Sequence, residues 1–156
     1  MGCSQLTERG HTMEEKENRV LKLPGGNETI LIVDDQETVW DFLIEALQKL
    51  GYSVLLAENG LDAVEIYENN PGQIDLVLLD MIMPKLGGHT TFHKLKSIDP
   101  NVSVLLSSGF VSSDEVDDLL KNGASGFLPK PHRIRDMALE IRRILDAKKA
   151  ASGDSK

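Results

Sequence analysis

The chain reads as an α/β fold, a doubly wound five-stranded parallel sheet with five helices, and three observations predict it. Short, almost wholly apolar runs alternate with stretches of helical spacing over about 120 residues. The runs lack the period-two alternation of half-exposed strands, as strands buried on both faces do. Four of them stop at a carboxylate, a hydroxyl or a lysine, where burial ends.

Thr29-Ile30-Leu31-Ile32-Val33 is the first strand, closed by Asp34-Asp35. Val39, Phe42, Leu43, Ala46, Leu47 and Leu50 then keep helical spacing, with Gly51 where a C-cap is wanted. Tyr52 to Ala57 is the second strand, and Leu61 to Glu68 the second helix. Ile74 to Leu79 is the third strand, ending in Asp80. A helix over about Gly88 to Ser97 closes at Asp99-Pro100. Val102 to Ser107 is the fourth strand, and Ser112 or Ser113 caps a helix running through Lys121 to Asn122-Gly123. Gly126 to Leu128 is the fifth strand, before a helix with Ile134, Met137, Ala138, Ile141, Ile144 and Leu145 inward. Strands alternating with helices in this way give a parallel sheet covered on both faces.

Length and composition fit one domain. The 156 residues are 40% apolar and 27% charged, with only 4% aromatic, so the core is aliphatic. Residues 1–27, with Pro24-Gly25-Gly26-Asn27, show no sustained period and read as a flexible leader or linker. Residues 28–147 form the domain, and 148–156 a disordered tail. No run is long enough for a membrane helix and no signal peptide is evident. The single cysteine, Cys3, has no internal partner, which suits a reducing, cytoplasmic setting. The Met-Gly start has Leu6 where a myristoylation signal wants Ser or Thr. Residues 28–132 carry 17 acidic and 6 basic side chains, a net of −11. Such a body repels phosphate backbones, so direct DNA binding is not expected, and too few residues follow Ala147 for a helix-turn-helix. The basic residues from Arg133 onward read as the solvated face of the last helix.

Five polar residues stand at the carboxyl ends of the strands: Asp34 and Asp35, Asp80, Ser108 and Lys130. In a parallel sheet they converge on one edge, where ligand chemistry gathers. Singly, each has another reading. Asp34 or Asp35 could cap the first helix, Ser108 could begin a turn, Asp80 could start the Met83-Pro84 loop, and Lys130 could be a loop lysine before Pro131. Capping does not predict three carboxylates, a hydroxyl and a lysine in one place. Crowded carboxylates need a cation, and hard oxygen donors suit Mg²⁺. A cation, a lysine and a hydroxyl are what phosphoryl transfer requires, and a carboxylate beside the metal can itself attack phosphorus. Asp80, from the central strand, is the best candidate nucleophile. The reading needs its oxygen open to phosphorus and within reach of Asp35 and Lys130.

Asp34-Asp35 after a buried strand, Asp80-Met81-Ile82-Met83-Pro84 with Gly87-Gly88, Ser108-Gly109 and Lys130-Pro131 together resemble the receiver domain of two-component response regulators. The resemblance covers about residues 28–147 and implies a flavodoxin-like strand order of 2-1-3-4-5. It implies phosphorylation of Asp80 by a histidine kinase or histidine phosphotransfer protein, and an unidentified downstream protein that reads the helix 4, strand 5, helix 5 surface. It implies Mg²⁺ held by Asp35, Asp80 and the Ile82 carbonyl, with Asp34 acting through water, and Ser108 and Lys130 contacting the phosphoryl group. Ser107 makes the hydroxyl register ambiguous by one, and the small Gly109 favours Ser108. Phe127 takes the place of the switch aromatic, or is a core residue of strand five. Apolar Ile82 and Phe110 flank the site where polar residues can position water, which predicts slow hydrolysis of the acyl phosphate. Gly25-Gly26-Asn27-Glu28 resembles the linker before receivers in hybrid histidine kinases, so a single-domain regulator and a hybrid-kinase segment both fit.

Two rival functions start from the same residues. A haloacid-dehalogenase-type phosphatase also uses a strand-end Asp with Mg²⁺, but needs a second acid two residues after its nucleophile, which Asp35-Gln36-Glu37-Thr38 imitates only loosely. A flavin domain wants a Ser/Thr/Gly-rich first loop, where Asp34-Asp35-Gln36-Glu37 would repel phosphate. Among other residues, His89 and His93 share a helix face and read as a surface pair rather than a metal site, while His11 and His132 show no partner. Asp114, Glu115, Asp117 and Asp118 suit a helix start, as capping or docking. Trp40 reads as packing near the metal site.

Overall fold

The computed structural model describes residues 23–82, 87–109, 113–130 and 133–151. Cys3, Leu6, His11, Met83, Pro84, Phe110, Ser112, Pro131 and His132, all discussed above, lie outside the described residues.

The elements follow in strict alternation: β1 (Thr29–Val33), α1 (Glu37–Lys49), β2 (Ser53–Ala57), α2 (Gly60–Asn69), β3 (Leu76–Asp80), α3 (Gly88–Ile98), β4 (Val104–Ser108), α4 (Ser113–Lys121), β5 (Gly126–Pro129) and α5 (Ile134–Ala151). All five strands are parallel, in the order β2-β1-β3-β4-β5. The predicted elements and order are all present, with ends displaced by a residue or two except at the end of α5.

The pleat sorts the apolar strand residues onto two cores. Ile30, Ile32, Leu76, Leu78, Leu105 and Leu128 face Leu43 and Leu47 of α1 and Met137, Ile141 and Leu145 of α5. Leu31, Val33, Val77, Leu79 and Leu106 face Ala63 and Tyr67 of α2, Phe92 and Leu95 of α3, and Leu119 of α4. Every residue of β3 and β4 is buried, which is why their sequences are continuous apolar runs. Each fully buried Leu among them contributes about 1.5–3 kcal/mol.

Described residues on both flanks of the sheet pack onto the domain. Leu23 packs on the first core, Gly26 N donates to Leu50 O at 3.2 Å, and Arg142 Nη1 donates to Gly25 O at 3.0 Å. A side chain at Gly25 would lie 2.1 Å from Leu50 O, so the glycine permits this close approach. Leu23, Gly25 and Gly26 are thus docked on the domain. At the other end α5 runs to Ala151, four residues past the predicted limit, and Lys148 Nζ donates to Asp75 O at 3.3 Å. Arg142 is also not a solvated residue. It is 18% exposed and pairs at 2.7 Å with Glu28, whose side chain is 9% exposed. That pair holds the Glu28 carboxyl down at about 2.

Candidate functional site

The strand order reverses between β1 and β3, and in doubly wound sheets this switch point opens a crevice at the carboxyl ends. Asp34 directly follows β1 and Asp80 ends β3. Register brings them side by side, since Val33 pairs with Leu79. One carboxylate oxygen from each of Asp34, Asp35 and Asp80 lies within 4.8 Å of the other two. From β5, 96 residues along the chain, Lys130 Nζ donates to Asp34 Oδ2 at 2.9 Å and stands 3.4 Å from Asp80 Oδ2. Four of the five residues singled out from the sequence thus meet.

Local chemistry orients each of them. Asp34 Oδ1 accepts from Gln36 N at 2.9 Å, so this residue both shapes the start of α1 and pairs with Lys130. The N-cap of α1 is Gln36, without a side-chain cap bond, so Asp34 turns the chain into the helix rather than capping it. Asp80 Oδ1 accepts from Ile82 N at 3.3 Å. The turn after Asp80 is pressed against α3. A side chain at Gly88 would sit 2.5 Å from Met81 Cα and 2.8 Å from Asp80 O, so only glycine lets α3 begin there. Lys130 is registered by its own N–H, which donates to Ser108 O at 3.1 Å.

Asp34 and Asp80 are buried at 2% and 5% exposure, while Asp35 is exposed. The burial of Asp80 departs from the sequence expectation of an open carboxylate. Lys130 lies across it, and the hydrogen bond from Ile82 folds the turn over its other oxygen. Burial pushes the Asp80 carboxyl up to about 6, with Asp34 adding to the rise and Lys130 and the Ile82 N–H opposing it. The Ile82 side chain is 57% exposed and forms an apolar rim beside the cluster.

The hydroxyl position is less simple than the sequence suggests. Asp80 pairs in register with Ser107, and Ser108 pairs with Pro129. Strand alternation puts Ser107 on the α1/α5 side with Leu78 and Leu105, and Ser108 on the opposite side with Leu106. Both serines are 2% exposed. The level pairing of Ser107 with Asp80 was legible only once the strand register was known. Phe127 pairs with Leu106 and is partly buried against the second core. Trp40 is a partly buried residue packed on the first core.

The donor set fits a hard divalent cation. Among the described residues three carboxylates cluster with one ammonium, which leaves them short of positive charge, and oxygen-only donors select Mg²⁺-like ions. The clustered donors among the described residues are the Asp34, Asp35 and Asp80 carboxylates. Such an ion supplies neutralisation of phosphate oxygens.

Comparison with known proteins adds a family to this geometry. The family described as response regulator receiver domain matches residues 30–142. The sensor kinase CckA of Brucella abortus is 32% identical over 133 residues, which cover 84% of this chain and 14% of that protein. Sporulation initiation phosphotransferase F of Bacillus subtilis is 34% identical over 78% of this chain and 97% of its own length. Among solved structures, a response regulator receiver domain protein from Clostridium thermocellum superposes with a TM-score of 0.76 at 31% identity, covering 80% of this chain and 98% of that one. A Borrelia burgdorferi complex of CheX and CheY with BeF3 and Mg²⁺ gives a TM-score of 0.73 at 30% identity, covering 75% and 88%. Against CckA and the response regulators MprA and CpxR, the chain spans half of the relative's length or less. None of these similarities favours a haloacid-dehalogenase phosphatase.

Proposed function

The chain belongs to the response regulator receiver family, and on that premise we propose that it accepts a phosphoryl group on Asp80 from a phosphohistidine donor, with Mg²⁺ bound. One observation carries the proposal: residues from 34 to 130 converge so that the Asp34, Asp35 and Asp80 carboxylates cluster within 4.8 Å and Lys130 stands 3.4 Å from Asp80.

Asp80 attacks phosphorus through a carboxylate oxygen. The new P–O bond forms as the P–N bond of the donor phosphohistidine breaks, and the departing imidazole takes up a proton. Because Lys130 lies across Asp80, its ammonium must move onto an incoming phosphoryl oxygen, which both uncovers the nucleophile and neutralises developing charge. Asp35, exposed at the rim, and the Ile82 carbonyl complete the cation's ligands, with Asp34 acting through water and through Lys130. Ser108 donates its hydroxyl to a phosphoryl oxygen. Ser108 on β4 and Phe127 on neighbouring β5 then pass the change to the α4, β5 and α5 surface, which a downstream protein reads.

The chain acts as a phosphoacceptor that promotes its own phosphorylation and dephosphorylation rather than as a multiple-turnover enzyme. A histidine kinase or a histidine phosphotransfer protein is the donor, and the cytoplasm is the compartment. Among the described residues no helix is long and apolar enough to cross a membrane. The exposed Ile82 side chain carries no polar group to orient water, which supports a long-lived acyl phosphate in the absence of a partner. The deciding experiment is intact mass after incubation with Mg²⁺ and acetyl phosphate. One added phosphoryl group in the parent and none in Asp80→Asn is expected; equal incorporation in both, or none in the parent, refutes the proposal.

A further inference from the structure

A second group of ligating side chains meets on the opposite side of the sheet from α1 and α5. His89 and His93 are four residues apart on α3 and so share a face, with ring centroids 4.7 Å apart. From α4, Asp118 brings Oδ2 to 3.3 Å from His89 Nε2. One donor atom from each of the three lies within 4.8 Å of the other two. The His89 and Asp118 side chains are half exposed, at 49% and 55%, so the fold does not need them there for packing.

Two imidazole nitrogens and one carboxylate oxygen form a borderline donor set, unlike the all-oxygen cluster at the strand ends. Such sets select Zn²⁺ and its neighbours over Mg²⁺. A tetrahedral zinc with arms of about 2.0–2.1 Å has ligand-to-ligand edges of about 3.3 Å. The His89–Asp118 separation already matches one edge. The other two close by side-chain rotation at the surface, and the fourth position is left to water. A hydrogen bond between His89 and Asp118 accounts for that pair alone. The second imidazole is held beside them by its edge-on contact with Phe92, ring centroids 5.3 Å apart, which leaves its nitrogens to serve as ligands.

We propose that His89, His93 and Asp118 form a surface site for a borderline divalent cation such as Zn²⁺, tying α3 to α4. The site stands on its own geometry. Its consequence rests on the receiver reading: α4 belongs to the surface that responds to phosphorylation, and a bound ion restrains its movement relative to α3.

The test is titration of the full chain with Zn²⁺ against a chromophoric chelator, in excess Mg²⁺ to occupy the acidic cluster. One Zn²⁺ per chain is expected for the parent and for Asp80→Asn. Loss of one ligand in His89→Ala, His93→Ala or Asp118→Asn should weaken binding roughly 10–100-fold or more, since even loss of a group that only orients a ligand has effects of that size. Co²⁺ in place of Zn²⁺ should broaden amide signals of α3 and α4 first. Unchanged affinity in His93→Ala and Asp118→Asn, or loss of the Zn²⁺ in Asp80→Asn, overturns the proposal. A parent that binds Zn²⁺ here yet takes no phosphoryl group on Asp80 would sink the receiver mechanism and leave this site standing.

Discussion

Asp80→Asn should stabilise the metal-free protein while abolishing its chemistry, and the size of the effect follows from the environment of the carboxylate. Folding carries Asp80 into a site where its pKa rises from 3.8 to about 6. That rise means that holding the group ionised in the native state costs on the order of 3 kcal/mol. The sign is the reverse of the usual case for an aspartate. Below pH 3.8 the carboxyl is protonated in both states and costs nothing. Between 3.8 and about 6 the native state keeps a proton that the unfolded chain has lost, so stability falls as pH rises, and above about 6 the loss is complete. An amide at position 80 carries no charge and escapes this cost. Urea unfolding in EDTA should therefore show Asp80→Asn more stable than the parent by roughly 2–3 kcal/mol at pH 8, with the difference shrinking toward pH 4. Mg²⁺ should restore stability to the parent by neutralising the cluster and do much less for the variant. A variant no more stable than the parent at pH 8, or a difference that does not change with pH, would refute the electrostatic account of the site.

Four further outcomes are expected. Glu28→Gln should destabilise the fold at pH 7 by roughly 2–3 kcal/mol, because pairing with Arg142 holds the Glu28 carboxyl near 2; this stability is present above pH 4.5 and is lost as pH falls toward 2, which acid unfolding of parent and variant checks. Lys130→Met leaves the buried Asp34 and Asp80 without their cation and should cost roughly 3–5 kcal/mol at pH 8, along with most phosphoryl incorporation measured by mass. Gly88→Ala forces a methyl group into the Asp80–Met81 backbone and should cost at least roughly 1–3 kcal/mol by urea unfolding, with slower phosphorylation. Ser108→Ala should slow phosphoryl transfer from acetyl phosphate while Ser107→Ala leaves it near the parent's rate; the reverse order would assign the hydroxyl role to the residue that pairs with Asp80.

The five elements of each kind were legible because helical and strand spacing are local properties. Ile30 to Val33, Leu76 to Leu79 and Val104 to Leu106 are buried on both faces, and their uninterrupted apolar character says so without coordinates. The strand-end residues were legible for a related reason: a buried parallel strand has no place for a carboxylate except at its end. What escaped the sequence depends on separations of tens of residues. Glu28 and Arg142 meet across 114 positions, where Arg142 also docks Gly25. His89 and Asp118 meet across 29. Neither pair carries a periodic or spacing signal.

The amino-acid sequence by itself thus determined the parallel doubly wound sheet and the set Asp34, Asp35, Asp80 and Lys130, since burial dictates which residues can form strands and where charge must stop. Tertiary structure alone decided how deeply Asp80 is covered, that Lys130 bridges Asp34 and Asp80, and that Ser107 rather than Ser108 lies level with Asp80. Those are questions of register and of distances between distant segments, and they are answered only when both cores close and fix the strands against one another.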